Sequence, residues 1–199
     1  MAQEMENREL RERLDLIESM VAEGRKLTGN WGWAFILWGV AYYVAFAWTM
    51  SGWYAVAAWP ITMLAAGVVT GIVSGRMSRK RPRTGVGRAI LSIWLTMGVL
   101  LLVLMMSLGF SGRLDNHISL SVVATMLALA NGASSLILKW KAQLVCALVW
   151  LAAAEVACFG TETQQLIAFL AATFFCQIVF GIYAMICESR RRLHGEVHA

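Results

Sequence analysis

Charge is scarce in this chain. Asp, Glu, Lys and Arg make up 15% of its 199 residues, against roughly 25% in an ordinary soluble domain. Histidine is scarcer still, with only His117, His194 and His198. No set of His, Cys, Asp and Glu falls at metal-ligand spacing. His194 and His198 stand four apart, but they enclose Gly195 close to the last residue. Catalytic signatures are lacking too. There is no GxSxG, no HExxH and no Gly-rich phosphate loop, and Gly85-Val-Gly87 follows a basic run rather than a strand. The expectation is a chain without enzymatic activity, metal or cofactor.

Proline is nearly absent, and of the two present only Pro60 interrupts an apolar stretch. The four cysteines, Cys146, Cys158, Cys176 and Cys187, form no CxxC pair and lie among apolar neighbours. They read as small core hydrophobes. A quinone-linked redox pair would need two of them close together at one membrane face, which the spacing argues against. These shortages exclude a disordered chain, a basic nucleic-acid-binding domain and a secreted disulfide scaffold.

What is present is apolar. Hydrophobic residues make up 59% of the chain, and the mean hydropathy is +0.63. A spanning helix needs about 20 mostly apolar residues, because a ~30 Å hydrocarbon layer is crossed at ~1.5 Å per residue. Six stretches qualify: 31–50, 53–75, 89–110, 117–138, 142–159 and 164–187. They do not alternate polar and apolar residues, which excludes a transmembrane β-barrel. The fold class is all-α: a polytopic membrane protein with six transmembrane helices across 31–187. Residues 1–30 form a cytoplasmic amphipathic helix and linker, and 188–199 a basic cytoplasmic tail. The first 30 residues carry both signs of charge and no apolar core, so the first span reads as an uncleaved signal-anchor.

Local signals mark the helix ends. Asp115 or Asn116 can cap the fourth span, and Thr161 to Gln164 reads as a capping box opening the sixth. Gly160 stands where a helix-terminating residue falls, and Gly52 lies in a very short first turn.

The net charge of +5 is mostly a statement about orientation. Sixteen of the 17 basic residues fall on one side of the alternating spans. Arg8, Arg11, Arg13, Arg25 and Lys26 precede the first. Arg76, Arg79, Lys80, Arg81, Arg83 and Arg88 follow the second. Lys139 and Lys141 follow the fourth, and Arg190, Arg191 and Arg192 the sixth. Only Arg113 is on the other side. Positive charge stays in the cytoplasm during insertion, so both termini are expected there. The excess of 13 Arg over 4 Lys points to a bacterial source, hence an inner (plasma) membrane. Trp31, Trp33 and Trp140 fit one interface and Trp48, Trp53 and Tyr54 the other. Trp38, Trp94 and Trp150 recur every 56 residues, a spacing that suggests tandem hairpins or coincidence.

Residues 3–23 read as one helix. Leu10, Leu14, Ile17 and Val21 form an a/d stripe, and Glu9–Arg13 is an i,i+4 pair. The segment holds most of the acids, so docking on an anionic lipid surface is disfavoured. It is expected either to pack on the basic inner loops or to bind a cytoplasmic protein or a copy of itself.

Within the spans, Gly67, Gly71 and Gly75 share a face, as do Ala124, Ala128 and Gly132. Such faces let helices approach closely, within the bundle or between copies. Intramembrane polar groups are functional candidates. Asn131 and Gln177 are expected to bond across helices, with Tyr42 and Tyr43 as hydroxyl partners. Glu155 is the one carboxylate inside a span. It is expected either to meet water near the rim or to lie buried against Arg113 or His117. Two functions follow. One is a non-enzymatic regulatory, sensory or scaffold protein acting through its N-terminal helix and basic loops. The other is a small transporter or channel lined by the intramembrane polar groups. The bilayer itself is the one partner composition demands; nucleic acid is not expected.

Overall fold

The computed structural model describes residues 8–15, 31–78, 85–113 and 115–196, and all regular structure among them is helical. Seven α-helices follow the N-terminal helical segment 8–15: α1 (Gly32–Ser51), α2 (Ala55–Ser78), α3 (Gly85–Phe110), α4 (Asn116–Leu138), α5 (Lys141–Phe159), α6 (Glu162–Thr173) and α7 (Phe180–Glu196). A π-helical segment, Phe174–Val179, joins α6 to α7. Taken together as one continuous helix, α6, the π segment and α7 make the sixth of six helices long and apolar enough to cross a membrane.

The connections explain the up-and-down course. Two residues, Lys139 and Trp140, separate α4 from α5. Lys139 takes the left-handed conformation that ends α4, and its N–H donates to the Leu136 and Ser135 carbonyls. Gly52 does the same for α1 at φ 73°, a conformation glycine adopts without a Cβ penalty. Asp115 caps α4 by accepting from the Ile118 N–H at 3.2 Å. Thr161 and Gln164 form the reciprocal capping box of α6: the Thr161 N–H donates to Gln164 Oε1 at 2.9 Å and the Gln164 N–H to Thr161 Oγ1 at 3.4 Å. Gly160 keeps an ordinary negative φ. Glycine is needed there because a Cβ would lie 2.5 Å from the Val156 carbonyl oxygen.

Four spans make the core: α1, α4, α5 and the α6–π–α7 helix. Buried Phe35, Tyr42, Ala124, Leu127, Cys146, Trp150, Phe169 and Phe180 meet there. The two remaining spans are peripheral. Helix α2 packs on α1, and α3 packs on α4 with one ring contact to α1, Trp94 against Phe35 at 5.3 Å; the two do not pack on each other. No residue of α3 is buried; Leu95, Val99, Leu100 and Val103 are each more than half exposed. Apolar surface on this scale needs an apolar solvent, so the six helices fit a membrane-embedded chain. Each peripheral helix is tied to the core by an indole. Trp38 of α1 donates to Thr70 Oγ1 at 3.2 Å, and Trp94 of α3 to Ser134 Oγ at 3.1 Å. Trp150, the third of the evenly spaced tryptophans, is fully buried against Phe169 with its Nε1 unpaired. The three therefore do not share one environment.

The first and last spans approach closely at glycines. A Cβ on Gly32 would lie 2.6 Å from the Gly181 carbonyl oxygen, and one on Gly181 would lie 2.8 Å from that of Gly32. One helix turn pair further along, a Cβ on Gly39 would meet that of Gln177 at 2.9 Å. By contrast, Gly67, Gly71 and Gly75 have nothing within 4 Å of a built Cβ. The expected intramolecular contact of that glycine face is absent: it points away from α1, the only helix on which α2 packs. The face of α4 does pack. Ala124 is fully buried, Ala128 half-buried, and Gly132 meets Ala147 at 3.7 Å.

Gly181→Ala is expected to lose about 1–3 kcal/mol through overpacking against backbone. Gly67→Ala and Gly71→Ala should be neutral or stabilising by up to ~1 kcal/mol through helix propensity. Unfolding in detergent by increasing SDS reads both. Equal effects at the two faces would contradict the packing described.

Candidate functional site

The intramembrane polar residues separate into three places. Asn131 is fully buried on α4. Its Nδ2 donates to the Leu127 carbonyl of its own helix at 2.8 Å, and its Oδ1 has no partner. Gln177 is buried in the π segment opposite Gly39 of α1. The π segment does not pack on α4, so the expected Asn131–Gln177 bond is not formed.

Glu155 is exposed on α5, at the opposite end of the bundle from Asn131. It forms no ion pair with Arg113 or His117. Arg113 is itself exposed, and His117 turns its Nδ1 to the Ala157 carbonyl at 3.2 Å. The reading of Glu155 as a buried paired carboxylate is therefore replaced by one at the surface of the helix. Tyr42 is buried between Trp59 and Phe169, with ring centroids 6.0 and 5.6 Å away. Tyr43 donates its hydroxyl to the Leu170 carbonyl at 2.8 Å, linking α1 to α6. Both tyrosines hold helices together, and Tyr43 supplies the hydroxyl bond across helices that Asn131 and Gln177 do not.

A polar region that the sequence did not single out lies in the half of the bundle nearest the basic connections. Gln143, in the first turn of α5, is fully buried, and neither its Oε1 nor its Nε2 has a partner. Ser134 and Ser135, near the end of α4, are also buried. Ser134 accepts the Trp94 indole, and Ser135 donates to the Gly132 carbonyl at 2.8 Å. Glu188 of α7 is also buried in this half of the bundle. Two residues inside its span and next to Lys141, Gln143 resembles an interfacial polar side chain; only the tight Lys139–Trp140 turn puts it inside. Among the described residues, three or more potential metal ligands nowhere come together.

The cysteines are arranged differently from the spacing argument. Cys146 of α5 and Cys176 of the π segment are both buried, and the Cys176 thiol donates to the Cys146 carbonyl at 3.6 Å. Antiparallel packing of α5 on α6 brings them together; Trp150 and Phe169 meet on the same interface at 5.4 Å.

Of the N-terminal stripe, Leu10 and Leu14 lie on helical residues 8–15 and are exposed, and Glu9 pairs with Arg13. Ile17 and Val21 lie outside the described residues. Arg76 and Arg88 are exposed at one end of the bundle, where α2 ends and α3 begins. Arg79, Lys80, Arg81 and Arg83 between them fall outside the described residues.

Six apolar helices in an all-helical chain are compatible with a multi-pass membrane protein. No family model, no curated protein and no solved structure matches the chain.

Leaving a buried polar atom unpaired costs about 1–3 kcal/mol. Gln143→Met keeps the side-chain volume and removes two such atoms, so it is expected to raise stability by an amount in that range. A fall in the detergent unfolding midpoint would show that the Gln143 amide is satisfied in the folded protein.

Proposed function

We propose that this chain is a non-enzymatic inner-membrane protein with both termini in the cytoplasm. In this reading it acts as a regulatory, sensory or scaffold protein through its N-terminal helix and basic inner loops. The observation that carries the reading is the dispersal of the intramembrane polar groups. A transport path needs polar groups joined along one line. Here Asn131 and Gln177 lie on segments that do not pack on each other, and Glu155 is exposed. The N-terminal segment supports the same reading, because Leu10 and Leu14 both expose more than half of their surface. An apolar pair on a charged helix is what a partner helix or a second copy would cover. The basic loops then set the orientation, by retention of Lys and Arg on the cytoplasmic side.

The unspent hydrogen-bonding atoms of Gln143 and Asn131 favour a second reading, passage of a small polar solute through the basic half. Flux of such a solute into vesicles holding the purified protein, abolished by Gln143→Met, would establish it.

Two measurements test the first reading. A periplasm-active reporter fused after Gly52 should be active and one fused after Lys139 inactive. Affinity capture and crosslinking of the full chain should yield a partner or a self-crosslinked dimer. That yield is expected to fall at least several-fold on removal of residues 1–27, or with Leu10→Asp and Leu14→Asp together. An unchanged yield from all three proteins would overturn the partner role of the segment.

A further inference from the structure

Besides His117, the charged side chains described at the end of the bundle away from the basic connections are Arg113, Asp115, Glu155 and Glu162. Two of the carboxylates have local work. Asp115 accepts the Ile118 N–H at 3.2 Å and so caps α4. Glu162 lies in the first turn of α6, where the helix dipole favours an anion. Glu155 and Arg113 remain. Both are exposed, and among the described residues neither side chain has a hydrogen bond or an ion pair. They stand at similar depth. The His117 ring meets the Ala157 carbonyl at 3.2 Å, which sets the start of α4 beside the last turn of α5. Arg113 comes three residues before α4 begins at Asn116. Glu155 comes four residues before α5 ends at Phe159, about 6 Å along the helix. An arginine stem lying along apolar surface spans a step of that kind.

Glu155 is set within an apolar face. Val145, Leu148, Ala152, Glu155 and Phe159 follow one another at spacings of 3, 4, 3 and 4, the seam that two helices share in left-handed packing. All five are exposed; Val145 and Leu148 leave 58% of their surface open and Phe159 87%. Exposed hydroxyls on other spans return a bond to their own helix: Ser107 donates to the Val103 carbonyl and Thr125 to the Ser121 carbonyl, both at 2.8 Å. A carboxylate has no proton to return in this way, and an ionised group inside a span is costly unless it is paired.

We propose that this face of α5 joins two copies of the chain in the membrane, with Glu155 of each copy paired to Arg113 of the other. Copies inserted in one orientation are related by a two-fold axis along the membrane normal, which brings the same residues of both to the same depth. Such an interface is isologous: if Glu155 meets Arg113 across it, Arg113 meets Glu155 by symmetry. One contact thus matches both unpaired charges twice over and needs no other protein. Acyl chains cover Leu148 and Val145 as well as a second helix does, but they offer Glu155 no cation. The contact goes beyond the partner role of the N-terminal segment and does not rest on it.

The test reads thiol crosslinking of the full chain in vesicles with lipid in large excess. Cys158→Ala with Cys187→Ala removes the two thiols that are not buried, leaving Cys146 and Cys176 inside. Leu148→Cys in this background should give a covalent dimer. Val69→Cys on α2 and Val99→Cys on α3, both exposed positions, should give at least several-fold less. Adding Glu155→Arg or Arg113→Glu alone should lower the Leu148→Cys yield at least several-fold, because each sets like charges against each other. The two charge reversals, carried on separate chains under different tags and mixed in one vesicle, should give the mixed dimer at close to the original yield. Every pair across that dimer is again opposite. Two misfolded variants could not restore each other, so the rescue also controls for folding. Equal crosslinking at all three positions would overturn the proposal, as would an unchanged yield with either reversal or no rescue in the mixture. Rescue confined to a chain carrying both reversals would also overturn it, by placing the pair within one copy. The crosslink is read on α5 itself, so removal of residues 1–27 should leave it intact, and the two roles fail separately.

Discussion

The bundle closes where Gly32 meets Gly181. In hydrocarbon, helices gain nothing from hiding apolar side chains from water, because lipid is as apolar as the partner helix. What holds them is close packing and the few polar bonds that close packing permits. At this crossing the two backbones come near enough that neither glycine has room for a methyl group. The chain's first and last spans are thus drawn together. Phe35 on α1 then packs edge-on against Phe180 at 5.2 Å, and Gln177 fits beside Gly39. The tyrosine bond from Tyr43 to the Leu170 carbonyl depends on the same approach. The π segment lies directly along this contact. It re-aims the helix so that Cys176 and Gln177 turn inward while Phe174 and Phe175 turn out.

Much of this architecture is legible in the amino-acid order. Span length and apolar content locate six helices, because a helix must cross hydrocarbon with its own backbone bonds satisfied. The caps at Asp115 and Thr161 are equally local and appear where the residue types indicate. Helix partners are another matter. Gly67, Gly71 and Gly75 carry the familiar four-residue spacing but face outward. Gly32, Gly39 and Gly181 lack that spacing, lie on different spans and make the tight contact. A stripe of small residues says that close approach is allowed, not which helix approaches. Depth misleads in the same way. Asn131 and Gln177 are both polar and both intramembrane, yet the segments that carry them do not pack on each other.

Gln143 and the cysteine pair were hidden for a related reason. Residues 143 and 146 stand near the start of α5, where sequence position alone suggests contact with the interface. The two-residue turn at Lys139–Trp140 folds α5 so tightly onto α4 that this end is as buried as the middle. Lys139 itself adopts φ 49° to make the turn, a conformation costing roughly 1–2 kcal/mol for a residue with a Cβ. The hydrogen bonds that end α4, from the Lys139 and Trp140 N–H groups to Leu136 and Ser135, offset part of that cost. Cys146 and Cys176 are 30 residues apart, and only the antiparallel course of α5 and α6 makes them neighbours.

The uneven packing also separates stiff parts of the molecule from yielding ones. Stability within a fold is lowest where buried contacts are fewest. Helices α1, α4, α5 and α6–π–α7 share the buried aromatic core, whereas α2 rests on α1 and α3 on α4 with one ring contact from Trp94 to Phe35. Their polar ties are the indole bonds to Thr70 and Ser134. A bond of this kind inside a membrane is worth only about 0.6–2 kcal/mol, so α2 and α3 can shift without opening the core. These two helices end and begin at Arg76 and Arg88. A partner or lipid headgroup that engages that basic end would therefore act on the most weakly held part of the bundle. The cysteine pair and the unpaired Gln143 lie across the α4–α5–α6 interfaces, inside the part that stays fixed.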